Sequence, residues 1–370
     1  MKKKLALASF QLKNFKAVQD SKTIKFTPLT ALIGNNGSGK SSIVEALDTF
    51  QTLALEGLDA AMQPWHGFEH IWNQTKEHKL VKRGKAEYIS NPMSFILLGM
   101  SKEQAFRPQI EVVADSNLDK VFFQRYRAAY ASGAFEDRPG HIAGNKITDP
   151  YLTAFVQDWQ FLCLVPQSMT EPIPQKRSYG AVRLDKSGSN IAEYLQEIRD
   201  KDLKAFNGII EALKVVLPYA VDLQPAITSE LERKVYLTFS EQNISKKLAG
   251  WLLSTGTLRI LALLALLRDP EPSPVIVIEE IENGLDPRTV HVLVDEIRDF
   301  VTSGRGQIIL TTHSPYLLDL MKLSQIIVVD RQGGDSPRFR RPASEKELVK
   351  WANQFSPGKL YTMGRLTGPS

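Results

Sequence analysis

The stretch GNNGSGKS, from Gly34 to Ser41, brings pliant backbone, one ammonium and two hydroxyls together in eight residues. Gly34, Gly37 and Gly39 allow successive backbone amides to turn inward around phosphate oxygens, with Asn35, Asn36 and Ser38 completing the loop. Lys40 supplies charge near the β and γ phosphates, Ser41 offers a hydroxyl to magnesium, and Ser42 continues into the next element. The match to a phosphate-binding loop is complete. A glycine-rich turn with a chance lysine is the alternative, and a strand before the loop and a helix after it argue against that.

VIVIEEIENGLD, from Val275 to Asp286, sets four aliphatic residues before two adjacent carboxylates. Buried carboxylates are costly unless paired, and two side by side repel, so the arrangement implies a cation. Alone, it would read as a strand leading to an acidic helix cap. After a phosphate loop it reads differently: Glu279 holds the water shell of magnesium, although aspartate is more frequent there. Glu280, pointing to the other side of an extended backbone, polarises the attacking water.

Two further stretches bear on the class. LSTGTLR, Leu253 to Arg259, opens a helix, and Ser254 with the Gly256 amide at its N-terminus makes an anion site or, read alone, a capped helix. TTHSP closes a later strand with His313, otherwise a polar strand end.

These residues need strands and helices to position them. LALASFQLKNFKAV and KTIKFTPLTALIG read as consecutive strands, and Ile43, Leu47, Phe50 and Ala54 share one face of a helix beginning near Ser41. EYISNPMSFILLGM, QIEVVADS and KVFFQRYRAAY read as antiparallel strands. FLCLVPQ reads as a strand leading into a long Pro/Ser/Gly-containing linker, 190–219 as helices, and RKVYLTFSE as another strand. WLLSTGTLRILALLALLRD suits a helix buried on most sides. A helix from Arg288, then the strands GQIILTTHS and SQIIVVDR, complete the core.

In this order the elements resemble the ABC-type ATPase heads of the SMC, RecF and OLD-like group. The resemblance makes Gly34–Ser41 the Walker A loop, 253–257 the signature loop and Glu279 with Glu280 the Walker B pair. It makes 283–286 the D-loop and His313 the switch histidine. LSTGTLRILALLALLRDPEPSPVIVIEEIENGLDP is more similar still to the bacterial "predicted ATPase" AAA family; Thr255 and Thr257 depart from the transporter form of the signature.

The implied fold is α/β: a P-loop NTPase of the ABC-head type with a mixed β core, an antiparallel β layer and an inserted helical lobe. The implied domains are a discontinuous ATP-binding lobe over 1–135 and 250–335, an inserted lobe over 136–249, and a basic C-terminal segment over 336–370. The lobe-coupling glutamine, a further magnesium ligand, is Gln167, with Gln157 and Gln160 as competitors. Lys16 either approaches the nucleotide or is a surface lysine.

The implied function is ATP binding and hydrolysis with Mg2+, two heads closing around two nucleotides. The output is DNA repair or recombination, or phage defence, through a nuclease or other effector partner or through DNA. A non-hydrolysing nucleotide sensor and a transport ATPase subunit are the alternatives.

Composition sets the outer limits. The chain has 370 residues and a formal charge of +5, a modest excess compatible with a polyanionic partner. One cysteine, Cys163, excludes intrachain disulfides and cysteine-based zinc clusters, fitting a reducing, cytoplasmic setting. The longest apolar run, 260–267, falls short of the ~20 residues a bilayer requires, so no membrane segment is expected. Arg338, Arg340 and Arg341 flank Phe339 as either a nucleic-acid contact or a solvated charged loop.

Overall fold

The computed structural model describes residues 6–74, 80–83, 86–89, 91–115, 117, 120–131, 133–176, 181–229 and 231–366, with side chains omitted for 80–83 and 86–89. The chain divides into two compact units, Met1–Trp159 with Ile309–Ser370, and Gln160–Ile308.

In the first unit, a seven-stranded antiparallel sheet runs in the order Glu136–Asp137, Val121–Tyr130, Gln104–Ala114, Met93–Ser101, Leu7–Phe15, Val18–Asp20, with Ile24–Lys25 also pairing with Leu7–Phe15. Leu7, Phe10, Leu12 and Phe15 are buried, and a register shift between Leu7 and Ser9 interrupts strict alternation. The expected strand over KTIKFTPLTALIG is two strands, because Pro28 lacks an N–H and Thr27 turns back onto Leu29 and Thr30.

The strand after that turn, Leu29–Ile33, is buried throughout and runs parallel to Ile326–Asp330, with Ala31 opposite Ile326 and Ile33 opposite Val328. Such double burial suits the largely aliphatic character of both strands, the buried Thr30 being bonded to Thr27. Helix Lys40–Leu55 follows, and Ile43, Leu47, Phe50 and Ala54 are all buried as the periodicity requires. Phe50 stacks on Trp159 at 6.5 Å, and the Gln51 amide donates to the Val156 and Trp159 carbonyls.

The basic tail, which reads as a loop and then a helix, begins instead as a strand and is helical beyond it. Arg338–Arg340 is a strand antiparallel to Ile326–Asp330, followed by helices Lys346–Trp351 and Pro357–Thr362.

In the second unit, Gln160–Leu162 lies parallel to Val275–Ile278, with Phe161 opposite Val277. Helices Ile191–Lys201 and Leu203–Val216 accompany a four-stranded antiparallel sheet built on Ala220–Ile227 and Lys234–Glu241. Helix Thr255–Arg268 is buried almost all round from Thr257 to Leu267, whereas Pro287–Thr302 buries only the stripe Thr289, Val290, Leu293, Val294, Ile297 and Phe300. Among the described residues, no helix is long and apolar enough to cross a membrane.

Candidate functional site

The phosphate-loop residues lie in the first unit. Gly34 follows strand Leu29–Ile33 at a point where no side chain fits: a Cβ there would sit 2.1 Å from the Val329 carbonyl oxygen and 2.7 Å from Ser38 Oγ. Gly39, at φ +106°, begins helix Lys40–Leu55, and a Cβ on it would meet Pro337 at 2.8 Å. That helix has no side-chain cap and no acid in its first turn, so its leading amides keep their affinity for an anion.

Lys40 is buried and donates to the Gly34 and Asn35 carbonyls at 2.8 and 3.1 Å, closing the loop on itself. Asn35, Asn36, Gly37 and Ser41 are exposed and Ser42 is buried. Ser38 Oγ is buried with no hydrogen-bond partner among the described residues, a donor left over inside the loop. The orphaned hydroxyl, uncapped helix and enclosed ammonium fit a polyphosphate, and exposed Ser41 at the helix start fits its magnesium.

Beside the loop, Lys16 pairs with Glu45 of the same helix at 2.6 Å and lies 4.0 Å from the Trp65 ring centroid. It is half-buried and engaged rather than a loose surface lysine. His313, also in this unit, is half-buried just beyond strand Gln307–Thr312, ahead of the Ser314 cap of a short helix.

The second unit gathers the acids, the signature stretch and the D-loop stretch. Strand Val275–Ile278 ends where expected, and the Glu279 amide continues its pairing by donating to Leu162 O at 2.9 Å. Glu280 does not continue an extended backbone. Its φ is +46°, the chain turns there, and Asn283 bonds back to it through both its amide N–H and its side chain. Strict alternation therefore does not set the direction of its carboxylate; the turn does. A non-glycine residue in this left-handed conformation costs about 1–3 kcal/mol, which the surrounding bonds must sustain.

Gly284, at φ +69°, and Asp286 complete the turn. Asp286 caps helix Pro287–Thr302 by accepting from the Arg288 and Thr289 amides and from Thr289 Oγ1, and the Thr289 hydroxyl is foremost in holding its carboxyl below the ordinary range.

Ser254 caps helix Thr255–Arg268, its Oγ accepting from the Thr257 amide at 3.1 Å. Ser254 and Thr255 are nonetheless exposed, leaving the helix start open to solvent while the rest is enclosed. Gly256 packs directly on the D-loop stretch, where a Cβ would lie 2.6 Å from Gly284 O.

Gln167 is exposed in the 3-10 turn Pro166–Met169, not at a strand end: the strand stops at Leu162, and the Pro166 ring lacks the N–H that pairing would need. That turn packs on helix Thr255–Arg268. Of its competitors, Gln160 is a core residue with both amide atoms engaged, by Leu184 O and Ser273 Oγ. Gln157 ends helix Pro150–Val156 in the other unit.

Sequence reasoning misses Arg259. Its guanidinium donates to Leu164 O at 2.8 Å, and burial lowers its pKa while the nearby Cys163 and Glu280 oppose that shift. The signal is present in the chain: Arg259 is the one charge in helix Thr255–Arg268 before the terminal Arg268, and a cation in so enclosed a helix requires partners. Cys163, in the same group, has its thiol pushed up by burial and by Glu279 and Glu280.

The basic tail is committed elsewhere. Arg340 pairs with Asp330 at 2.7 Å and Glu345 at 2.6 Å, and Arg341 donates to the Ser324 and Lys25 carbonyls. A solvated charged loop does not describe these two residues, nor do they stand ready for phosphates.

The family described as "AAA domain, putative AbiEii toxin, Type IV TA system" matches residues 171–319, and the family "AAA ATPase domain" matches 6–98. A relative from Helicobacter pylori named "ATP/GTP phosphatase" is 22% identical over 352 residues, covering 87% of this chain and 88% of its own. A crystal structure of an SmcHead bound to the C-winged helix domain of ScpA superposes with a TM-score of 0.58 at 15% identity, over 93% of this chain and 99% of that one. The Smc head domain with an extended coiled coil bound to the C-terminal domain of ScpA, derived from Pyrococcus furiosus, gives 0.60 at 15% identity, over 94% and 99%. The fold is that of these heads.

Proposed function

We propose that this chain, an AAA-family ATPase with the fold of an SMC-type, ABC-class head, is a switch that dimerises around ATP and is released by its hydrolysis. The observation that carries this reading is the start of helix Thr255–Arg268: Ser254 and Thr255 are exposed at the mouth of an otherwise enclosed helix. An anion site so exposed can receive a phosphate brought by a second molecule. Each nucleotide would then lie between Gly34–Ser42 of one head and Ser254 and Gly256 of the other.

Within that arrangement, backbone amides of the loop and the Lys40 ammonium hold the phosphates. Ser41 of the first unit, and Glu279 and Gln167 of the second, are each proposed as residues that would ligate Mg2+, which would supply charge neutralisation. Glu280 orients the attacking water and accepts its proton, and His313 contacts the γ-phosphate end. The functional division is a discontinuous ATP-binding lobe, 1–135 and 250–335, an inserted lobe, 136–249, leading to the signature stretch, and the segment 336–370.

The output is exerted through an effector protein such as a nuclease, in DNA repair or phage defence, in the cytoplasm. Internal engagement of Arg340 and Arg341 favours an effector protein over DNA contact by the tail. The SMC heads of similar fold were crystallised with a domain of ScpA, which also favours a protein partner.

The test combines single-turnover hydrolysis with light scattering. Wild-type protein should hydrolyse ATP and dimerise only with ATP, and Glu280→Gln should keep ATP, accumulate as dimer and turn over roughly 10²–10⁴-fold more slowly. ATP bound without hydrolysis by the wild type would instead identify a nucleotide sensor.

A further inference from the structure

Four parts of the second unit converge on one side chain. Arg259 stands one turn into the helix that Ser254 caps. Its guanidinium donates to Leu164 O, three residues before Gln167, and the turn Pro166–Met169 packs on the same helix. A Cβ at Gly284 would meet the Arg259 Cδ at 3.8 Å, so its stem runs along the D-loop turn. The same turn holds Glu280: Asn283, next to Gly284, donates to the Glu280 carbonyl through its amide N–H and to the Glu280 carboxylate through its side chain. Gly256, on the same helix, rests on Gly284 O.

We propose that Arg259 is the positioning residue that ties the signature helix to Glu280 and the Gln167 turn, so that docking of a phosphate at Ser254 sets the hydrolytic carboxylate. This role rests on the ATPase reading above and gives it a direction. In a two-headed arrangement, Ser254 faces the nucleotide of the opposite head and Glu280 faces its own, so Arg259 carries information from one nucleotide to the other. A guanidinium is well suited to such coupling, because its fixed fork holds a backbone carbonyl and attracts a carboxylate at once, and its stem packs on the moving turn. Cooperative hydrolysis is the consequence.

The experiment compares wild type, Arg259→Ala and Arg259→Lys by ATP calorimetry, light scattering and steady-state hydrolysis across ATP concentration. Wild type should give a sigmoidal rate curve. Arg259→Ala should bind ATP with unchanged affinity and still dimerise, yet lose about ten- to a hundredfold in kcat and respond hyperbolically, since small misplacement of a hydrolytic group has this scale of effect. Arg259→Lys, which can donate to Leu164 O but lacks the fork, should recover part of kcat. It also provides the reading should the alanine variant unfold.

An Arg259→Ala protein that keeps wild-type kcat and sigmoidicity, or a lysine variant no better than alanine, overturns the positioning role. Wild type that hydrolyses as a monomer overturns the two-headed reading and the coupling, while the kcat of the Arg259 variants still decides whether this residue positions Glu280.

Discussion

Gly256 and the carbonyl oxygen of Gly284 approach so closely that a Cβ at residue 256 would stand 2.6 Å from that oxygen. The first turn of helix Thr255–Arg268 and the turn at Gly284 are therefore packed directly together, and a backbone carbonyl cannot yield as a flexible side chain would. Gly256→Ala should lower hydrolysis by about ten- to a hundredfold through displacement of these turns, and leave calorimetric ATP binding intact. Equal loss of affinity and turnover would show that the contact serves nucleotide binding instead.

Lys40→Ala tests the other unit. The ammonium holds two loop carbonyls in the structure, and in the ATP complex it would exchange at least one of them for phosphate oxygens. Hydrogen bonds to charged groups contribute about 1.5–3 kcal/mol, so affinity should fall about ten- to a hundredfold. Calorimetry with unchanged ATP affinity would remove Lys40 from the phosphate site.

The strand, loop and helix around Lys40 are legible in the sequence because their signals are local: an aliphatic run, glycines where no Cβ fits, then a 3.6-residue apolar period. What is not legible depends on distant partners or on backbone conformation. The turn at Glu280 is made by Asn283 bonding backward, and the acid pair itself gives no hint of it. The fates of Arg340 and Arg341 are decided by Asp330 and by the carbonyls of Lys25 and Ser324, and in a linear reading these arginines look solvated. The expectation of a strand end at Gln167 fails on a local signal, the missing N–H of Pro166 just before it.

A pH prediction follows from Asp149, which caps helix Pro150–Val156 and accepts from the Tyr126 and Tyr130 hydroxyls at 2.7 and 2.9 Å. Burial alone would raise its carboxyl, but bonds from Tyr126, the Tyr151 amide and Tyr130 outweigh that and hold it below the ordinary range. A depressed pKa contributes stability that is fully present above the unfolded value of about 4 and is lost as pH falls through the folded value. Asp149→Asn should cost about 1–3 kcal/mol at pH 7, through loss of charge-assisted bonds in a buried site. Its Tm should also fall less than that of the wild type between pH 5 and pH 2, both on the order of the carboxylate titration range. Parallel acid limbs in a thermal-melt series would contradict this.

The trans arrangement is tested by Ser254→Arg. Ser254 Oγ caps its own helix, so its loss alone costs about 1 kcal/mol of stability, and Ser254→Ala serves as the control for that effect. The arginine adds bulk at an exposed helix start, where an opposing loop would approach. Ser254→Arg should therefore bind ATP as a monomer and neither dimerise nor hydrolyse it, while Ser254→Ala should retain some of both. Mixing Ser254→Arg with Lys40→Ala is decisive. In a head-to-head dimer one composite site holds both defects, while the other joins an intact phosphate loop to an intact signature. Activity from the mixture above the sum of the two proteins measured separately at the same ATP concentration requires a site shared between two chains. A wild-type rate from Ser254→Arg alone, at concentrations where light scattering reports only monomer, would leave a self-contained ATPase.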